Sequence, residues 1–118
     1  VPAEVITKAV AKAAKFGAAA PAIPVKDTIK VSESGAVDAT PRRETLFAVQ
    51  TPQVFAADLL KAALQSAIAD GATITDDCSA VERMGKEVHL TDGSEENIKI
   101  TTPVDLAIAE AILQRRGE

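Results

Sequence analysis

Val5, Ile6, Ala9, Val10 and Ala13 recur at helical spacing behind Pro2, with Lys8, Lys12 and Lys15 on the other side. This predicts an amphipathic first helix that starts on a proline and stops at Gly17. The small-residue run 18 to 25 reads as a buried strand, and Pro21 and Pro24 place its end at a sheet edge or exit. Residues 26 to 45 carry Lys26, Asp27, Lys30, Glu33, Asp38, Arg42, Arg43 and Glu44 among few apolar positions, too polar for a core. Strand-like runs at 28 to 31 and 46 to 49 flank this stretch. It reads either as a hairpin turning near Ser34-Gly35 and projecting from the body or as a disordered surface loop.

Beyond Pro52, Leu60, Ala63, Leu64, Ala67 and Ile68 form one stripe of a helix over about 54 to 70, with Gly71 as its stop. Thr75 is the expected cap of a short helix that opens on Asp76-Asp77, turns Ala80, Val81 and Met84 inward and ends at Gly85. Val88 and Leu90, then Ile98 and Ile100, alternate with polar residues on either side of Asp92-Gly93, which predicts two short strands and sets Lys99 opposite the isoleucines. Thr102-Pro103-Val104-Asp105 spells an N-cap, a first-turn proline and a capping-box acid, opening a last helix with Leu106, Ala109, Ile112 and Leu113 inward. Helices alternating with strands give an α/β class.

Composition narrows this picture. The chain has 118 residues, room for one domain, and 13 Lys and Arg against 17 Asp and Glu leave a net charge of −4. That balance argues against a sequence-independent nucleic-acid binder, which needs a basic surface to displace counterions. With 3% aromatics, alanine, valine, isoleucine and leucine must fill the core. Cys78 and His89 are single, so no internal disulfide and no thiolate or imidazole zinc site is expected, and a reducing, cytoplasmic setting is. The most apolar run, 16 to 25, is too short and too broken by Gly17, Pro21 and Pro24 to span a bilayer. The chain opens on Val1-Pro2 without an initiator methionine and reads as part of a longer polypeptide.

Chemistry resides in a few polar groups on rigid supports: Thr51 before Pro52, Thr75 at a helix start, Lys99 on a strand, and Lys30, Arg42 and Arg43 in the polar stretch. A hydroxyl at a helix N-terminus with a lysine point charge and an arginine fork suits a phosphate, although caps and solvated lysines are the commoner use of such residues. No Ser/His/Asp set, phosphate-binding glycine loop or metal cluster accompanies them, and Cys78 reads as structural.

Asp27-Thr28-Ile29-Lys30, then Arg43, then Gln50-Thr51-Pro52-Gln53-Val54-Phe55, Thr75-Asp76-Asp77-Cys78-Ser79-Ala80-Val81-Glu82 and Asn97-Ile98-Lys99-Ile100-Thr101-Thr102-Pro103 closely resemble the 2-C-methyl-D-erythritol 4-phosphate cytidylyltransferase family. The resemblance covers essentially the whole chain and corresponds to the C-terminal half of that family. It implies the C-terminal part of a Rossmann-like nucleotidyltransferase fold, a single partial domain over 1–118, with 26–45 as a β-arm that embraces a partner subunit in a homodimer. The implied reaction is attack of the methylerythritol phosphate oxygen on the α-phosphorus of CTP, with release of pyrophosphate and magnesium bridging the nucleotide phosphates. The resemblance assigns Arg43 and Lys99 to positioning the substrate phosphate, Thr51 and Thr75 to substrate contact, and Thr28 to the neighbouring site. Cys78 and Val104 depart from it, standing where alanine and an acidic residue are usual. The family's glycine-rich, CTP-gripping N-terminal half has no counterpart here, so the isolated chain is expected to be inactive and to need that half. The alternatives are a ribitol 5-phosphate cytidylyltransferase and, for the isolated chain, a non-catalytic dimerisation module.

Overall fold

The computed structural model describes residues 1–117. Among these residues are four helices, α1 (Ala3–Phe16), α2 (Ala57–Ala69), α3 (Asp77–Arg83) and α4 (Pro103–Arg115), and four strands, β1 (Ala18–Pro24), β2 (Phe47–Val49), β3 (Val54–Phe55) and β4 (His89–Asp92), in the chain order α1-β1-β2-β3-α2-α3-β4-α4. The α/β expectation holds, as an open mixed sheet centred on β1. β4 runs parallel to β1, from Ala19 opposite His89 to Ala22 opposite Asp92. β2 and β3 both run antiparallel to β1, β3 beside Ala18 and Ala19 and β2 beside Ala22 to Pro24.

β1 is therefore central, and the expectation that its prolines mark an edge is corrected. Pro21 is among the most deeply buried residues. Its carbonyl accepts from the Gln50 backbone N–H at 2.8 Å, so its nitrogen faces the same side of the strand. On that side the ladder passes from β3 at Ala19 to β2 at Ala22, so the missing N–H of proline falls where no ladder bond is made.

Side chains alternate faces along a strand, so the burial of everything from Ala18 to Ala22 means both faces are covered. α1 packs on β1 and β4 with Val5, Ala9 and Ala13 buried, and its last residue Phe16 stacks on the His89 ring with centroids 4.1 Å apart.

 α2 and α3 pack on each other over the opposite face, where Ala18, Ala63, Ala80 and Val81 form the buried centre and Phe55, Leu59, Leu60, Leu64, Ile74, Met84 and Val88 close around it. Alanine at these contacts lets helix and strand backbones approach closely. Gly17, at φ 93°, turns the chain from α1 directly into β1.

Several expectations need correction. Residues 54 and 55 form β3 rather than the start of α2, and Ile68, expected on the buried stripe, is 80% exposed. The run 28 to 31 makes no strand with 46 to 49; Val31 instead bridges Ala39 across a hairpin in which the Ser32 hydroxyl donates to the Ala36 carbonyl and accepts from the Gly35 N–H. Residues 26 to 40 are all exposed, so this segment projects as an arm with no core of its own. Its root is closed by Val25 N–H donating to the Leu46 carbonyl at 3.2 Å. The strand expected around Ile98 and Ile100 is absent: alternation supplies a face, but a strand also needs a ladder partner, and none lies beside it among the described residues. α4 has the expected capping box of Thr102 and Asp105, yet none of its residues is buried, and Leu106 and Leu113 stand exposed. None of the helices among the described residues is long and apolar enough to cross a membrane.

The two sides of α2 predict opposite responses. Ala63→Leu forces extra methylenes into a filled centre and should destabilise by about 1–3 kcal/mol, whereas Ile68→Ser on the open side should stay within about 0.5 kcal/mol of the parent. Urea denaturation of both variants checks this.

Candidate functional site

Between β2 and β3 the chain leaves the sheet as the short loop 50–53, which carries Thr51 and a cis peptide bond to Pro52. Two glutamines flank these residues, and each ties the loop to a different segment. The Gln53 amide nitrogen donates to Asp76 Oδ2 at 3.0 Å, and its oxygen accepts from the Cys78 backbone N–H at 3.2 Å. The Gln50 amide nitrogen donates to the Ser94 carbonyl at 2.7 Å, and its oxygen accepts from the Ser94 N–H at 3.1 Å. Asn97, a buried polar residue, donates from Nδ2 to the Thr51 carbonyl at 2.7 Å and to Gln50 Oε1 at 3.4 Å. Together Val49, Gln50, Thr51, Gln53, Asp76, Asn97 and Lys99 line a cleft of about 280 Å³.

The cap of α3 is Asp76 rather than Thr75. Asp76 Oδ1 accepts from the Ser79 N–H at 2.8 Å and from the Ser79 hydroxyl at 2.6 Å. These bonds, chiefly that from the Ser79 side chain, hold the Asp76 carboxyl below its ordinary range despite partial burial, so the cleft carries a fixed anion. With its proton committed to Asp76, Ser79 receives the Thr75 hydroxyl, 2.9 Å away. Cys78 points into the packed side of α3; burial, and then the carboxylates of Asp76, Glu82 and Asp77, push its thiol up to about 12. A thiol so protonated is a poor nucleophile.

The sequence-selected residues thus divide into two groups. Thr51 and Lys99 line one cleft, whereas Thr75 is outside its lining and precedes the lining residue Asp76 in sequence. Thr28, Lys30, Arg42 and Arg43 lie along the arm and its root, outside the lining of that cleft. Lys30 donates to the Thr40 hydroxyl at 3.0 Å, and Arg42 pairs with Glu44 at 3.3 Å. Arg43 Nη1 donates to the Lys26 carbonyl at 2.9 Å, and Lys26 pairs with Glu95, which fixes the arm's root to the segment carrying Asn97 and Lys99. Gln50, Gln53, Asp76 and Asn97 carried no role in the sequence reading. Their signal was the pair of amides flanking Thr-Pro, whose remote partners only the fold reveals.

The α/β scaffold thus sets a lysine, a threonine and a fixed carboxylate around one small cleft, the makings of a polar ligand site. The model of the 2-C-methyl-D-erythritol 4-phosphate cytidylyltransferase family matches residues 1–115. Proteins of that name from Desulforamulus reducens and Geotalea uraniireducens are 54% identical over 113 residues and 46% identical over 114 residues, covering 95% and 97% of this chain. The chain spans about half the length of these curated relatives, 48% and 49%. The crystal structure of 2-C-methyl-D-erythritol 4-phosphate cytidylyltransferase from Thermus thermophilus superposes with a TM-score of 0.86 at 36% identity, covering 97% of this chain and 56% of that one. The chain belongs to the 2-C-methyl-D-erythritol 4-phosphate cytidylyltransferase family.

Asp76→Ala should cost about 1 kcal/mol at neutral pH through loss of the cap. A carboxyl whose folded value is lowered stabilises above its unfolded value and loses that contribution as pH falls through the folded one, so the gap between parent and variant should close below pH 3.8. Urea midpoints measured across acid pH check this. Cys78 should resist iodoacetamide at pH 8 in the folded chain and react on unfolding, read by mass spectrometry.

Proposed function

We propose that the chain supplies the sugar-phosphate-binding half of an enzyme that transfers CMP from CTP to 2-C-methyl-D-erythritol 4-phosphate, with release of pyrophosphate. The observation that carries this is the cleft in which Thr51 and Lys99 meet, within a chain of this family. The Lys99 ammonium is exposed and serves as the point charge that holds the substrate phosphate while one of its oxygens attacks the α-phosphorus of CTP. Asp76, ionised and oriented by Ser79, repels the phosphate and accepts hydrogen bonds from the substrate's hydroxyls. Thr51 and Thr75 present hydroxyls for the polyol.

Arg43 adds a second cation, and Thr28 a further hydroxyl, at the site of a neighbouring subunit embraced by the arm. Projection of 26 to 40 without a core of its own supports that use. Magnesium travels on the triphosphate and neutralises its charge when bound. The nucleotide is gripped by the length of polypeptide that the relatives have and this chain does not span.

Pyrophosphate release from CTP and 2-C-methyl-D-erythritol 4-phosphate with magnesium tests this reading. Turnover is expected when the chain is joined to or mixed with the remainder of the polypeptide, and not with the chain alone. Turnover of ribitol 5-phosphate in place of the methylerythritol phosphate would overturn the substrate, and turnover by the chain alone would relocate the nucleotide site. Lys99→Ala should lower kcat about 10²–10³-fold with an unchanged melting temperature, because its side chain is exposed.

A further inference from the structure

We propose that Asn97 and Gln50 are positioning residues that fix where Lys99 stands relative to Thr51, an inference that rests on the cytidylyl-transfer reading above. Lys99 follows a segment that belongs to no strand, so no sheet ladder sets its backbone. The loop bearing Thr51 likewise lies outside the sheet. What joins the two is a small set of amide bonds. Gln50 grips both backbone groups of Ser94, and Asn97 Nδ2 reaches back to the Thr51 carbonyl at 2.7 Å. The same Nδ2 also meets Gln50 Oε1 at 3.4 Å, so the two side chains form one network rather than two separate contacts.

Two features show that the surroundings are shaped to this network. Asn97 is 9% exposed, a buried polar side chain whose desolvation is offset only while its amide finds partners. Gly93 leaves the space that Gln50 occupies: a Cβ there would collide with Gln50 Oε1 and lie 3.0 Å from the Ala22 carbonyl oxygen. The glycine at the end of β4 thus admits the Gln50 amide against the strand, and its own N–H donates to that Ala22 carbonyl at 3.0 Å.

Both side chains line the cleft, but their amides are committed to Ser94, to the Thr51 carbonyl and to each other, so their effect on rate passes through Lys99 and Thr51. A shift of about 1 Å in such a group costs up to ~10²-fold in rate. A double-mutant cycle in the full-length protein separates this from a general loss of structure. Asn97→Ala should lower kcat/KM for the methylerythritol phosphate by about 10–100-fold, leave KM for CTP unchanged, and have under ~3-fold further effect in a Lys99→Ala background. A defect of structure alone would multiply with Lys99→Ala, and that result overturns the proposal. Gln50→Ala, on a half-buried side chain, runs the same cycle with the same two outcomes should Asn97→Ala not fold. Parent protein that releases no pyrophosphate would overturn the activity and the positioning role together, whereas multiplied losses in an active parent overturn the positioning role alone.

Discussion

The structure depends on one buried strand that is bonded along both edges and covered on both faces while being built from alanine and proline. Ala18, Ala19, Ala20, Pro21 and Ala22 have almost no side chain with which to fill space, so α1 and the α2–α3 pair come close to the sheet. Apolar burial is worth about 25 cal/mol per Å², and each methyl contributes little. Cohesion comes from many short contacts, and tolerance for added volume is correspondingly small. The same strand places the loop 50–53. Because Pro21 offers no N–H between β3 and β2, the antiparallel partner can leave the sheet at Gln50 and rejoin it at Val54 without stranding a buried donor on β1.

What leaves the sheet must be held by other means. Gln53 ties the loop to the cap of α3, and Gln50 ties it to the segment ahead of Lys99, so three pieces of backbone distant in sequence share one set of amide bonds. The charges are arranged as deliberately as the bonds. Asp76 is saturated by Ser79 and Gln53, while Lys99 lines the same cleft with its ammonium open to solvent. The cleft thus sets a fixed carboxylate and an exposed lysine in one lining, opposite charges that discriminate between the parts of any ligand of mixed polarity.

Local patterning made much of this legible before the fold was seen. The first helix, its glycine stop, the capping box of Thr102 and Asp105 and the polarity of the arm are encoded within a few residues of where they act. Misreadings arose where the deciding partner is remote. Pro21 suggested an edge because a central strand seldom admits proline, and only the change of partner from β3 to β2 explains it. Ile98 and Ile100 alternate as a strand does, but alternation supplies no ladder, and the apolar residues of α4 likewise have no layer above them among the described residues. Within the site, Thr51 and Lys99 stood out through their motifs. Asn97 and Gln50 did not, because an amide's role is set by what it meets some 46 residues away.

The arm joins the body through a closed root, with Val25 bonded to Leu46 and Arg43 to Lys26. Its ends are thus fixed to each other independently of what lies between them. For such a loop the entropy of closure grows only with the logarithm of length, about 0.6 kcal/mol per doubling. Insertions and deletions in the arm are therefore nearly free for the sheet and the cleft, and they alter chiefly how far the limb reaches. Evolution has in this segment an adjustable spacer, able to change in length and tip sequence while the bonds at its base stay in place.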